Sequence, residues 1–245
     1  MSEQNKVKYK NPPVVEVASI CGFNLSNESP QWNKELGDKF IEQFPEFKIR
    51  NYGNRMGQIR DDYTAEQIGE VWGRSDDMSR SLTVAKNYVR CHRSRDRHIY
   101  PRYSDVREMV CQYVAEYQKY LKADIIKSVG LLYLDVISIP TVDFKFNEYF
   151  QFGFYYDKGV HERLSNFYIG LDFNSKEEYG IDLNLRISQL PKGANETSNT
   201  LQLNWFCMKN IRDTSNYIVE LDDVHTFLLD MFENNLTDKC KKLFN

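Results

Sequence analysis

The chain lacks the short motifs that mark common nucleotide-binding and hydrolytic sites. It contains no GxGxxG or GxxxxGK[ST] loop, no GxSxG elbow and no HExxH helix, so the readings that rest on them fall away. It has no run of about 18 apolar residues, the length a helical membrane span needs. MSEQNKVKYKNPP, at the N-terminus, lacks the apolar centre of a signal peptide, so a cytoplasmic protein with no membrane partner is expected. Cysteines are few and unpaired in pattern. Cys21, Cys91, Cys111, Cys207 and Cys240 form an odd set with no CxxC spacing, which fits reduced, mostly buried thiols. The sequons at Asn195 and Asn235 then carry no weight. Excess positive charge is also missing: with a net charge of -3, any attraction for nucleic acid has to come from a local patch. Glycine and proline are scarce, and 41% of the residues are hydrophobic, so the chain reads as folded rather than disordered.

What is present is a series of strands and helices with distinct periodicities. NPPVVEVASICGF begins with prolines that hold the backbone extended and continues as a β-branched strand. Ser29 and Pro30 read as the cap and first turn of a helix carrying Trp32, Leu36, Phe40, Ile41 and Phe44 on one face, ended by Pro45. Residues 48–63 and 66–90 read as short strands, with Gly53, Gly57, Gly69 and Gly73 as turn or bulge points and RSDDMSRS as a polar turn. Ser104 caps a helix with the stripe Val106, Met109, Val110, Tyr113, Val114, Tyr117 and Leu121.

IIKSVGLLYLDVISIP is apolar and long enough for a central strand, and a short helical or irregular piece is expected around DFKFNEYF. QFGFYYD, SNFYIGLDF, GIDLNLRISQL and NTLQLNWFCM follow as four strand candidates, the last two alternating, with two apolar residues among the polar positions of the last. Leu221, Val224, Phe227, Leu228, Met231, Phe232, Leu236 and Leu243 mark a C-terminal helix packed on the sheet. This order implies an α+β fold, mostly antiparallel, with three main helices. The chain reads as one unit over residues 1–245, with a subdivision into 1–122 and 123–245 as the alternative.

One stretch stands out chemically. RCHRSRDRHIYPRYSD places Arg90, Arg93, Arg95, Arg97 and Arg102 among Tyr100 and Tyr103, a pattern in which cations contact phosphates and rings stack on bases. Its plainer reading is a solvated connection between a strand ending near Cys91 and the helix at Ser104. Cys91, His92 and His98 lack the second ligand pair of a structural metal site, so neither metal nor cofactor is expected. Nothing local pairs Cys91, Cys111 or Cys207 with His161 or His225 for catalysis, and His225 reads as a packed histidine at the edge of an apolar stripe. Asp172, Asp182, Asn184, Arg186, Gln202 and Asn204 project to one side if their strands are neighbours, giving a face that can hold a polar ligand or stay simply solvated.

YKNPPVVEVASICGF, FIEQFPEF, SVGLLYLDVISIP and VHTFLLDMFENNLTDKCKKLF, in that order, resemble a sporadically distributed, uncharacterised prokaryotic family of similar length. That family opens with a Pro-Pro-x-Val-Glu strand. Its members carry an Arg-Tyr-x-Asn element in the middle strand, where this chain has Leu132, Tyr133, Leu134 and Asp135. The resemblance implies a single unit and supplies no catalytic residues. Its patchy distribution resembles that of mobile defence or toxin-antitoxin genes, which implies a non-enzymatic component binding a protein partner from the same operon. The alternatives are a nucleic-acid-binding component, nuclease-associated or not, using residues 90–103, and a sensor of a small polar ligand.

Overall fold

The computed structural model describes residues 9–24, 34–51, 56–57, 68–85, 87–96, 99–120, 125–140, 145–152, 168–174, 180–191, 198–211 and 216–245. The β-branched run after the paired prolines forms β1 (Val14–Phe23), and the long apolar run in mid-chain forms β7 (Ile126–Ile139). These two strands pair antiparallel, Ser19 opposite Leu131, at the middle of one continuous sheet. Between them lie α1 (Lys34–Gln43), β2 (Glu46–Asn51), β3 (Met56–Gly57), β4 (Ile68–Arg74), β5 (Arg80–Ala85), β6 (Tyr88–Ser94) and α2 (Tyr103–Tyr120). After β7 come α3 (Phe146–Tyr149), β8 (Tyr168–Asn174), β9 (Ile181–Gln189), β10 (Asn199–Asn210), α4 (Tyr217–Asn235) and α5 (Asp238–Lys241), then a final 3-10 turn.

The strand order is β3-β2-β4-β5-β6-β1-β7-β10-β9-β8, with every pairing antiparallel. The fold is therefore α+β, with α1, α2 and α4 as its three substantial helices. The order also has an internal symmetry. In each half the first strand (β1 or β7) pairs with the last (β6 or β10), the intervening strands meander outward, and a long helix (α2 or α4) follows. The two halves, of six and four described strands, join between β1 and β7 within one sheet.

One face of the sheet carries the core. Val17, Cys21 and Phe23 of β1, Leu82 and Val84 of β5, Cys91 of β6, Leu131 and Ile137 of β7, and Leu201, Leu203 and Trp205 of β10 are almost fully buried. Against them pack Val106, Val110, Tyr113, Val114 and Tyr117 of α2, and Leu221, Val224 and Leu228 of α4. Each such aliphatic side chain contributes roughly 1.5–3 kcal/mol. Ring contacts extend the layer, with Phe44 on Tyr113 at 5.6 Å and Trp205 on Phe232 at 6.1 Å. Tyr9 joins the C-terminal segment there: its hydroxyl donates to the Glu233 carboxylate, and its ring packs on Phe244. Burial pushes the thiols of Cys21 and Cys240 up to about 12, which keeps them inert.

Several expectations shift. The C-terminal stripe does not form one helix through Leu243. Leu236 turns extended to bridge Phe150, and Thr237 caps α5 by accepting from the Cys240 amide. β6 runs to Ser94 instead of ending near Cys91, because Arg93 and Ser94 still pair with Val17 and Glu16 of β1. Gly73 is a paired residue near the end of β4, not a turn, and the Phe40 ring of α1 and the Cβ of Phe44 just after it sit where its side chain would be. RSDDMSRS does form the turn, tied by Asp77, whose carboxylate accepts from Ser75, from the Ser79 hydroxyl and from the Ser79 amide. Ser29, Pro30, Trp32, Leu121 and residues 153–157 of QFGFYYD lie outside the described residues; Gln151 and Phe152 form a bend.

The core also holds one carboxyl. Asp135 sits on the helix side of β7, 3% exposed, and burial raises its pKa to about 7. The Trp205 indole N–H beside it offsets this only in part and stays short of hydrogen-bonding geometry. In the unfolded chain the group titrates near 4, about 3.9, so between these values the folded state keeps a proton the unfolded state has lost, and stability falls as pH rises. Two outcomes follow. Urea unfolding should show wild-type stability dropping from pH 5 to pH 8 by more than that of Asp135→Asn, which should be the more stable protein at pH 8. Gly73→Ala should lose roughly 1–3 kcal/mol in the same assay, because its new methyl displaces α1.

Candidate binding site on the open sheet face

Residues alternate across a strand, so the register that fixes the core also fixes the opposite face. Among the described residues no helix covers that face. Side chains there fall into rows across neighbouring strands. Lys48, Trp72, Thr83, Arg90 and Ile20 form one row; Arg74, Ser81, His92 and Ala18 form the next; Glu70, Ala85, Tyr88 and Gly22 form a third. Glu16 and the polar and aromatic residues of these rows line a basin of about 530 Å³ in the N-terminal half of the sheet.

His92 is the hub of one wall. Its Nδ1 lies 3.0 Å from Ser81 Oγ and its Nε2 lies 3.2 Å from Glu16 Oε2. The hydrogen bond from His92 holds the Glu16 carboxyl below its usual range against the opposing effect of burial, with help from Arg90 and Arg74. An ionised Glu16 requires the proton on Nε2, and in the neutral ring Nδ1 then accepts from the Ser81 hydroxyl. On the other wall the Tyr88 hydroxyl donates to Glu70, and the Lys48 ammonium stands 5.3 Å from the Trp72 ring centroid. Arg74 donates through Nε to the Met78 carbonyl at 3.1 Å. Lys48, Arg74 and Arg90 make no salt bridge among the described residues. Thr83, 7% exposed, has no side-chain hydrogen bond there.

A hydroxyl, an imidazole and a carboxylate in sequence suggest nucleophilic catalysis, yet the surroundings do not complete it. Ser81 lies within β5, which is paired on both sides by β4 and β6, so the backbone amides around it are committed to the ladder and none is free to serve as an oxyanion donor. The arrangement is suited to holding a ligand, with fixed donors, a flat ring and unpaired cations.

The arginine-rich stretch is divided by the strand. Arg90 enters the basin, whereas Arg93 faces the helices, donating to Ser79 and lying 3.9 Å from Asp105. Arg95 stacks on Tyr100 at 4.4 Å and donates to its hydroxyl. Arg102 is exposed before α2, and Arg97 and His98 lie outside the described residues. Cys91 and His92 point to opposite faces of β6, so they cannot share a metal.

Tyr103 faces inward. Its hydroxyl donates to Asp222 at 2.6 Å, Arg107 grips the same carboxylate through two nitrogens, and its ring stacks on His225 at 3.9 Å. Nδ1 of His225 is 2.8 Å from the Tyr133 hydroxyl. Burial raises the Tyr103 hydroxyl pKa, as does the bond to Asp222. This cluster ties α2, α4 and β7 together, and His225 is packed as its sequence context implied; His161 lies outside the described residues.

The polar residues of the C-terminal half do share a face. Asn204 pairs with Arg186, and Asn184 with Asp172, while Asp182 lies on the same side. They largely satisfy one another: Asn184 donates to Asp172, and Arg186 donates to Asn184 at 3.0 Å. Sequence reading missed Glu16, Glu70, Trp72, Arg74, Ser81, Tyr88 and His92 as a group. Their signal was the alternation in EVWGR, RSLTVA and YVRCHRS, which becomes a site only when the strands are set in register.

No protein-family model matches the chain, and no curated protein matches its sequence.

The Glu16–His92 contact gives a direct check. A carbon-detected titration should place Glu16 below 4.5, and His92→Phe should return it toward that value. Its contribution to stability is present above the unfolded pKa and disappears as pH falls through the folded one. With the carboxylate 37% exposed, the loss of stability should be small.

Proposed function

We propose that this chain is a non-enzymatic recognition protein whose open sheet face binds a small polar ligand in the basin between β1, β2, β4, β5 and β6. The observation that carries this reading is the convergence there of Lys48, Arg74 and Arg90, none in a salt bridge among the described residues, around Trp72 and Thr83. Glu16 and Glu70, the carboxylates of the same basin, accept hydrogen bonds from His92 and Tyr88. A preformed concave site with a few fixed polar groups is the usual form of a small-molecule site.

A second reading, a protein-interaction component such as the defence or toxin-antitoxin partner that the family resemblance implies, draws on the middle of the same face. Ile20, Leu132, Leu134, Phe206 and Met208 form a half-buried apolar stripe between the basin and the polar C-terminal rows, and an apolar centre with polar flanks is the pattern of an interface. The basic stretch as a whole is the weaker nucleic-acid candidate, because its arginines diverge.

Thermal shift against a panel of amino acids, sugars, carboxylates, phosphates and nucleosides tests the first reading, since a ligand of the folded state raises the midpoint. At least one class should raise it in the wild type and not in Arg90→Gln. A panel with no effect, or a shift that survives Arg90→Gln and Thr83→Val alike, would count against the basin. The second reading gains if Phe206→Asp, and not Arg90→Gln, abolishes co-purification of a stoichiometric partner.

A further inference from the structure

The row Lys48, Trp72, Thr83 and Arg90 runs straight across four strands of the basin. Neighbouring strands are about 4.8 Å apart, so Arg90 and Trp72, two strands away from each other, stand roughly 10 Å apart. Between them Thr83, paired directly opposite Arg90, presents a hydroxyl that no described side chain uses. Arg74 occupies the neighbouring row on the Trp72 strand, two residues along. One end of the row thus offers a guanidinium and a hydroxyl, which suit a phosphate, and the other offers an indole ring, which suits a planar base. The separation matches the reach of a nucleotide from phosphate to base.

Charge points the same way. Glu16 accepts from His92 and Glu70 accepts from Tyr88, so both carboxylates are held at the walls, while Lys48 stands over the Trp72 ring and the Arg90 guanidinium makes no salt bridge among the described residues.

We infer that the basin takes a nucleoside monophosphate, with its phosphate on Arg90 and Thr83 and its base against Trp72. This inference rests on the basin being a ligand site and adds the class of ligand. No bond is made or broken in the bound molecule.

Titration calorimetry on the full chain, with the four ribonucleoside 5′-monophosphates, adenosine, inorganic phosphate and a short single-stranded oligonucleotide, provides the test. A monophosphate should bind more tightly than either adenosine or phosphate. Arg90→Gln should weaken it by about tenfold or more, as expected on losing a charge-assisted hydrogen bond. Trp72→Leu should weaken binding of the monophosphate and leave the weak binding of phosphate unchanged, an outcome that simple misfolding would not produce. Asp172→Ala, in the other half of the sheet, should have no effect. Circular dichroism confirms that each variant is folded.

If a sugar, amino acid or carboxylate occupies the basin and no monophosphate does, the inference falls while the ligand-site reading stands. If nothing binds there, both fall. Monophosphate binding indifferent to Arg90→Gln overturns it, and so does an oligonucleotide that binds more tightly than any monophosphate and is weakened by the same variants, since the ligand is then a nucleic acid.

Discussion

The antiparallel ladder between β1 and β7 is the contact on which the rest of the molecule depends. It joins the first strand of each half, so each half contributes its own meander outward from a common centre. Both strands are buried on the helix side and both have further strands beyond them, so neither is an edge open to pairing with another chain. With that register fixed, every side chain of the sheet is assigned to the helix layer or to the open face, because a slip of one residue would exchange the two. Val17, Cys21, Leu131 and Ile137 then belong to the core, and Glu16, Ile20, Leu132 and Leu134 to the other side.

The helix layer is where the two halves are locked. α2 follows β6, α4 follows β10, and the two helices meet over the central strands through the Arg107, Asp222, Tyr103, His225 and Tyr133 cluster. The half-exposed carboxyl of Asp222 receives two donors on Arg107 and one on Tyr103, which hold its pKa below the usual value against partial desolvation. Asp135, two residues beyond Tyr133 on the same strand, has no such set of donors and is held protonated into the neutral range. The contrast follows depth and hydrogen-bond supply together, since Asp222 is 40% exposed and well supplied with donors whereas Asp135 is 3% exposed and is not.

On the open face, the same principle separates the two polar zones. The C-terminal residues Asp172, Asn184 and Arg186 bond to one another and form a closed surface. In the N-terminal half the carboxylates are drawn to the walls by His92 and Tyr88, and Lys48, Arg74 and Arg90 between them make no salt bridge among the described residues. A surface with unspent donors and a concave shape is the more capable of the two, which is why the functional reading rests there.

The sequence by itself determined the element types and the core stripes. The alternation in β9 and β10, the apolar run of β7 and the three-and-four spacing in α2 and α4 are local signals, set by the pitch of a strand or a helix. It also marked Arg90 as chemically unusual and the C-terminal polar residues as sharing a face. It did not reveal that Arg90 and Arg93, three residues apart, point to opposite faces as strand residues, nor that Gly73 makes room for α1. Least of all did it bring Glu16, Trp72, Ser81 and His92 together. Those residues lie on four strands whose lateral order is not their order in the chain, with β1 inserted between β6 and β7. Only the pairing of strands in space decides which polar residues become neighbours, since hydrogen bonds between strands are non-local and leave no periodic trace along the chain.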